Sequence, residues 1–337
     1  INILAQYNPK SLIEHIRMGK PWDLDRKHGG VTILHPSYHG EAAHWYLGTA
    51  DALYQNIDVI RNSGCDLVLV LSGDQVYLAD YGEIVAYHLS HGGPVTIACK
   101  KVASSESSRF GMVRCGKDGI VKQFREKPAR SRASDRASLG IYLFDARLLK
   151  RLLKSNRTDI VFDMLLPLIE DTRVYAFPFE SYWEDIGSIP SYYDASMRLL
   201  RKTSLVSRKG WPIYTRGEDF PPARFCQDSE VSGSITACGC RIEGKVSGCI
   251  LFPGVIIEKG AEIRDSIIFS RTRIRKGATV DRTILDKDVT VGTGAEIGVS
   301  PSTSGDITVI GKGASIKNGV TVRRGRILEP GEKVRDQ

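Results

Sequence analysis

Chemistry is first to be expected at a carboxylate that follows an apolar run. Leu67-Val68-Leu69-Val70-Leu71 carries no charge, turns at Ser72-Gly73, and delivers Asp74 just past the turn. Such a run reads as a strand buried on both faces, as in a parallel sheet. Ligands of open α/β sheets bind outside the carboxyl ends of the strands, so Asp74 is placed to hold a divalent metal against a phosphate. The competing reading is that Asp74 caps the next helix. The other reactive types say less. The seven cysteines are odd in number and form no pair of CxxC motifs, which points to buried reduced thiols in a cytosolic protein. Cys238-Gly239-Cys240 offers two close thiols without further ligands, a weak metal signal. All seven histidines (His15, His28, His35, His39, His44, His88 and His91) fall early in the chain.

The elements that must position these groups come from two kinds of sequence. The chain has 337 residues, enough for two domains with real cores, and at 42% hydrophobic and 26% charged it has an ordinary globular composition. No apolar run reaches membrane-spanning length and no signal peptide is visible. The net charge of +8 is scattered rather than gathered in a basic arm, so anionic small molecules suit it better than nucleic acid.

Up to about residue 200, strands alternate with helices, which argues for a mostly parallel sheet covered on both faces. Ser11 with Glu14 suggests a capping box opening a helix through Ile16. Thr49 is a candidate cap for the helix after Gly48. Phe110–Val113 and Ile120–Phe124 read as paired strands around Lys117-Asp118-Gly119. Leu139–Phe144 reads as a further strand, and Ile189–Leu200 as a helix closing this domain. Residues 201–225, with Gly210, Pro212, Gly217, Pro221 and Pro222, read as a linker.

From 226 to 337 the pattern changes. Small or apolar residues recur at Ser234, Cys240, Val246, Leu251, Ile257, Ile263, Ile268, Ile274, Val280, Leu285, Val291 and Ile297. The series resumes at Ile310, Ile316, Val322 and Leu328. Steps of six, six and five make a coil of about seventeen residues, three short strands per coil, stacked as a parallel β-helix. The stretch 299–306 interrupts the ladder and is expected to be a surface loop.

Seven motifs in order carry a resemblance. They are Trp45-Tyr46-Leu47-Gly48-Thr49-Ala50-Asp51-Ala52, Ser72-Gly73-Asp74-Gln75-Val76-Tyr77, Phe110-Gly111-Met112-Val113, Phe124-Arg125-Glu126-Lys127-Pro128, Ala137-Ser138-Leu139-Gly140-Ile141-Tyr142-Leu143-Phe144, Tyr182-Trp183-Glu184-Asp185-Ile186-Gly187-Ser188 and Trp211-Pro212-Ile213-Tyr214-Thr215. The chain resembles the ADP-glucose pyrophosphorylase (glucose-1-phosphate adenylyltransferase) family. The resemblance implies a Rossmann-like nucleotidyltransferase domain followed by a left-handed parallel β-helix. It also implies the reaction of ATP with glucose 1-phosphate to ADP-glucose and pyrophosphate, for glycogen or starch synthesis. By the same resemblance, Asp74 and Asp185 would be catalytic and hold Mg²⁺. Lys127, Glu126, Ser138, Tyr46 and Gly111 would bind substrate, Lys127 at the phosphate of the sugar phosphate, Glu126 at sugar hydroxyls and Ser138 in the lining of the sugar pocket. Gly48, Thr49 and Asp51 would lie at a helix N-terminus facing the nucleotide. A cytoplasmic homotetramer with anionic metabolite effectors is implied too. Arg271, Arg273, Arg275 and Lys276 form one candidate effector patch, and Arg323, Arg324 and Arg326 another.

Plainer readings stand beside these: Glu126-Lys127 as a solvated pair, Ser138 as packing, Asp185 as a helix cap, both arginine patches as solvated coil faces. The family opens with a Gly-rich loop containing an Arg, and then a segment with a Lys. The sequence in hand starts at Ile1, past both, and is expected to be inactive by itself. Gln75 stands where many members have His, and the loop Leu34-His35-Pro36-Ser37-Tyr38 departs from the family's pattern. The alternatives are a sister enzyme with another base or sugar, a non-catalytic regulatory subunit, and an acyltransferase. The last needs a His in the repeat, where none occurs.

Overall fold

The computed structural model describes residues 1–36, 38–39, 42–43, 45–201, 211–299 and 306–335. The chain folds as two compact units, Ile1–Glu184 and Asp185–Gln337. Ser37, residues 202–210 of the expected linker and residues 300–305 of the expected loop lie outside the described residues.

In the first unit the central element is the ten-residue strand Arg136–Asp145. Val95–Lys100 pairs antiparallel along one side of it, and Val174–Pro178 pairs parallel with Val95–Lys100. Leu67–Leu71 and then Met112–Cys115 pair antiparallel along its other side. Leu67–Leu71, Val95–Lys100 and Val174–Pro178 thus share one direction, and the long strand runs against them. Val95–Cys99 and Leu139–Phe144 supply much of the dry centre, among them Val95, Ile97, Cys99, Leu139 and Phe144. The expected hairpin forms, as Met112–Cys115 against Val121–Arg125.

Leu67–Leu71 departs from expectation. Its residues are half-buried, Leu71 is 40% exposed, and among the described residues it pairs with the long strand alone. Its apolar side chains face a cavity of about 450 Å³ that Leu4, Leu34, Leu53 and Ile60 also line. Helix starts differ from expectation as well. Ser11 lies inside the helix Lys10–Ile16, whose cap position is Pro9. The helix Leu166–Asp171 is preceded by a wide turn Ile160–Leu165 capped by Asp159, whose carboxylate accepts from the N–H groups of Val161 and Phe162.

The second unit is a parallel β-helix of three sheets, with seven, six and six strands among the described residues. Its interior is a stack of Ile, Val, Leu and Ala, all essentially without exposure from Ile242 to Leu328. Each fully buried Ile or Val contributes about 1.5–3 kcal/mol, so the stack dominates this unit's stability. The seventeen-residue coil holds from Ile257 to Ile274. The first coil is shorter: Ile257 stacks on Ile242, fifteen residues before it, and Leu251 on Thr236. The rungs that stack under Leu251 and Ile257 are therefore Thr236 and Ile242, two residues beyond Ser234 and Cys240, although Cys240 is itself buried in the interior. Hydroxyls at one corner tie successive coils. The N–H groups of Cys249, Thr283 and Gly325 donate to the side chains of Ser234, Ser266 and Thr308, at 3.0, 3.1 and 3.1 Å.

The helix Ile189–Arg201 packs on these coils. Tyr193, 2% exposed, lies against Ile267 and Ile284, donates its hydroxyl to the Asp265 carbonyl at 2.5 Å, and sits 5.0 Å beneath the Arg282 guanidinium. This helix therefore belongs to the β-helix unit, not to the preceding α/β domain. Among the described residues no helix is long and apolar enough to cross a membrane.

Candidate active site

The Asp74 turn is built on an irregularity of the long strand. The pairing of Arg136–Asp145 with Val95–Lys100 slips between Ser138 and Tyr142. Gly140 sits in this bulge with φ +64°, and its carbonyl accepts the Ser72 N–H at 3.0 Å. A Cβ on Gly140 would come within 3.0 Å of Ser72 Cβ, so a larger residue would push the turn away. The Ser72 hydroxyl then donates to Asp74 Oδ1, fixing that carboxylate beyond the strand end. Asp74 caps no helix. The strand Gln75–Tyr77 follows it, and the next helix, Tyr81–His91, is capped by Asp80 through Gly82 N–H at 2.8 Å.

Gln75–Tyr77 forms a two-stranded sheet with Trp183–Asp185, of which Asp185 is the last residue. The Trp183 indole N–H donates to Gln75 Oε1 at 3.0 Å, and its ring meets Phe110 edge-on at 5.2 Å. Gln75 is therefore held by a buried tryptophan.

Phe110 leads into the second cluster. The Gly111 carbonyl accepts the Ser138 N–H at 2.7 Å, and the Phe110 carbonyl accepts the Lys127 N–H at 3.1 Å. A Cβ at Gly111 would lie 2.6 Å from the Phe124 ring and 2.8 Å from Glu126 Oε2, so only glycine lets Glu126 come this close. Gly111, Glu126, Lys127 and Ser138 thus share one place, whereas Tyr46, named with them, has partners elsewhere. The Glu126 side chain is 26% exposed and Lys127 is 63% exposed, with 3.8 Å between their charged atoms. The solvated-pair reading fits the lysine alone. Lys127 has φ +41°, a conformation costing an L-residue on the order of 1–3 kcal/mol. Ser138 Oγ lies 3.5 Å from the Tyr142 hydroxyl, which burial pushes up to about 12.

The proposed nucleotide group looks different. Gly48, not Thr49, occupies the cap position of the helix Thr49–Gln55. The N–H groups of Ala50 and Asp51 already donate to the Thr158 carbonyl at 2.8 and 3.3 Å, so these amides do not face a nucleotide. The Thr49 hydroxyl accepts from Ile160 N–H at 2.9 Å. Asp51 is 7% exposed, and its Oδ2 accepts from Leu47 N–H and Gln55 Nε2, both at 2.9 Å. Asp51 and Thr49 therefore fix this turn. Tyr46 has its own partners: Gln6 Oε1 accepts its N–H at 2.6 Å, and its hydroxyl accepts from Asn56 at 3.0 Å. Burial pushes that hydroxyl upward.

Sequence reasoning missed Asp135. Its side chain is 2% exposed and receives Arg114 Nε at 2.9 Å, an Arg125 guanidinium nitrogen at 2.9 Å and Arg132 N–H at 3.2 Å. Burial alone would push its carboxyl up, but these hydrogen bonds and the two positive charges outweigh that and hold it below its ordinary value. The signal was present as alternating basic residues around one aspartate. The arginine patches of the coils are partly self-neutralised. Arg271 pairs with Asp288 at 2.7 Å and with Glu218 at 3.3 Å, Arg273 with Glu258 at 3.6 Å, Arg324 with Asp281, and Arg326 with Glu332 at 3.6 Å.

Asp74 offers a hard oxygen donor, and Asp185, at the end of the strand paired with Gln75–Tyr77, offers another. Among the described residues no group of three or more His, Cys, Asp or Glu could hold a metal. A carboxylate such as that of Asp74 suits Mg²⁺, which takes one or two carboxylates and completes its shell with water and substrate phosphate.

Comparison with known proteins matches residues 1–202 to the nucleotidyl transferase model, and residues 221–322 to the GlmU-like, C-terminal hexapeptide model. The helix Ile189–Arg201, which packs on the coils, lies inside the first match. The glucose-1-phosphate adenylyltransferase of Thermomicrobium roseum is 41% identical, over 100% of this chain and 83% of its own length. That of Fervidobacterium nodosum is 40% identical over 89% of this chain and 74% of its own length. That of Pseudothermotoga lettingae is 37% identical over 98% and 83%. By sequence and by its two matched domains, this chain belongs to the glucose-1-phosphate adenylyltransferase family.

Proposed function

We propose that this protein transfers the adenylyl group of ATP to glucose 1-phosphate, releasing pyrophosphate and forming ADP-glucose for glycogen or starch synthesis. The observation that carries the reading is the meeting of Gly111, Glu126 and Lys127 with Ser138, which lies on the same long strand whose Gly140 bulge seats the Asp74 turn. A phosphate oxygen of the sugar phosphate attacks the α-phosphorus in line. The bond from that phosphorus to the bridging oxygen breaks, and pyrophosphate leaves with the electron pair. Little covalent work falls to the protein, so rate comes from positioning and charge.

Lys127 presents an exposed ammonium, a point charge suited to the phosphate of the sugar phosphate. Glu126, half shielded against Gly111, accepts hydrogen bonds from sugar hydroxyls, and the Ser138 edge closes the pocket. Asp74 and Asp185 would hold Mg²⁺, which would neutralise charge on the phosphates. The working protein is a cytoplasmic homotetramer tuned by anionic metabolites. In the full-length protein, ADP-glucose and pyrophosphate should appear in equal amounts from ATP, glucose 1-phosphate and Mg²⁺. Lys127→Ala should raise KM for glucose 1-phosphate roughly 10- to 100-fold, the worth of a charge-assisted contact, and spare KM for ATP. An equal loss for both substrates would remove Lys127 from the sugar-phosphate site.

A further inference from the structure

Lys127 holds a left-handed backbone conformation that a lysine does not adopt unaided, so something outside the residue must impose it. One restraint is its N–H bond to the Phe110 carbonyl. The second is a buried clasp two residues away. Met112 pairs with Arg125 across the hairpin, which puts Arg114 and Arg125 diagonally on one face. Both guanidiniums reach the single carboxylate of Asp135, Arg114 with two nitrogens at 2.9 and 3.3 Å and Arg125 with one at 2.9 Å. Arg132 N–H adds a fourth bond at 3.2 Å. Oδ2 takes three of these bonds and Oδ1 the fourth.

The connectivity gives the clasp its meaning. Arg125 directly precedes Glu126-Lys127, Arg132 lies within the connection that follows, and Asp135 ends it, three residues before Ser138. One carboxylate therefore pins both ends of the loop that carries the substrate-facing lysine. We propose that Asp135 is a positioning residue for the sugar-phosphate site, acting through Arg125 to hold Lys127 and Glu126 in their binding geometry. This rests on Lys127 binding the sugar phosphate. A purely architectural clasp would lower stability and leave the folded protein's preference between substrates unchanged.

The test uses the full-length protein with steady-state kinetics for both substrates. Asp135→Asn keeps the shape and removes the charge. Arg125→Met leaves the Asp135–Arg114 pair intact and cuts the tie to the loop, so it serves where Asp135→Asn fails to fold. Each folded variant should raise KM for glucose 1-phosphate about tenfold, equivalent to about 1.4 kcal/mol. KM for ATP should stay within about twofold of the parent, since the clasp touches no proposed nucleotide contact. Adding Arg125→Met to Lys127→Ala should cost nothing further in KM for the sugar phosphate, because the clasp acts through that lysine. Unchanged KM for glucose 1-phosphate in Arg125→Met, or full additivity in the double variant, would overturn the proposal. If Lys127→Ala itself leaves that KM unchanged, the site reading fails instead, and the two failures are told apart.

Discussion

The two units solve the problem of order in opposite ways. In the β-helix, each inward side chain from Ile257 to Leu328 repeats the role of its neighbour a coil away, and backbone ladders run through every coil. Around Lys127 nothing repeats. A left-handed lysine, a glycine that alone fits beside Glu126, a bulge at Gly140 and an aspartate shared by two arginines each have their own geometry. Regularity spreads stability over many similar contacts. The candidate site instead places chemistry on single residues whose geometry depends on particular neighbours.

That contrast can be broken at several points. The largest effect is expected at Asp74. Asp74→Ala should lower kcat at least about a hundredfold while leaving the thermal midpoint nearly unchanged, since the carboxylate is held by the Ser72 hydroxyl at an exposed turn. Substantial Mg²⁺-dependent turnover in this variant would sink the metal-ligand role.

Ile274→Ala should do the reverse. It removes a fully buried side chain from the stack, and should destabilise the β-helix by about 2–5 kcal/mol by denaturant titration. Both KM values should be unchanged in the folded fraction. A specific rise in KM for glucose 1-phosphate would show that the coils feed directly into the sugar-phosphate site.

A smaller effect is expected in acid. The folded Asp135 carboxyl lies below its ordinary value, so its contribution to stability is full above its unfolded pKa of about 3.9. It is lost as pH falls through the lower folded value. Unfolding followed from pH 6 downward should lose that contribution in the parent, and Asp135→Asn should show a flatter acid limb. Identical acid limbs would mean that the clasp does not stabilise the ionised carboxylate.

The smallest effect is expected at Arg271. This exposed side chain is shared between Asp288 and Glu218, and Arg271→Ala should change stability by less than about 1 kcal/mol. A larger loss would show that the coil-face pairs act as a network.

How much of this was legible in the sequence follows the same divide. The ladder from Leu251 onward was readable because one inward position fixes the next six residues on. It failed only where the first coil is shortened by two residues, which moved Thr236 and Ile242 into the places given to Ser234 and Cys240. The corner hydroxyls escaped notice because Ser and Thr look polar until a coil above supplies the donor. In the first unit the motif residues could be named, and Gly111, Glu126, Lys127 and Ser138 do meet. The role of Asp51 could not be read, since a buried acceptor for Leu47 and Gln55 looks like any first-turn aspartate. Nor could the bulge at Gly140 or the Asp135 clasp, which depend on strands brought together from distant parts of the chain. The helix Ile189–Arg201 was assigned by its place in the sequence, whereas Tyr193 decides where it packs.

The most direct test of the central claim is pyrophosphate release by the full-length protein with Mg²⁺ and glucose 1-phosphate, with ATP, UTP, GTP and dTTP supplied separately. The account predicts turnover with ATP and little with the other three. Turnover that favours another nucleotide, or none with any of the four, would contradict it.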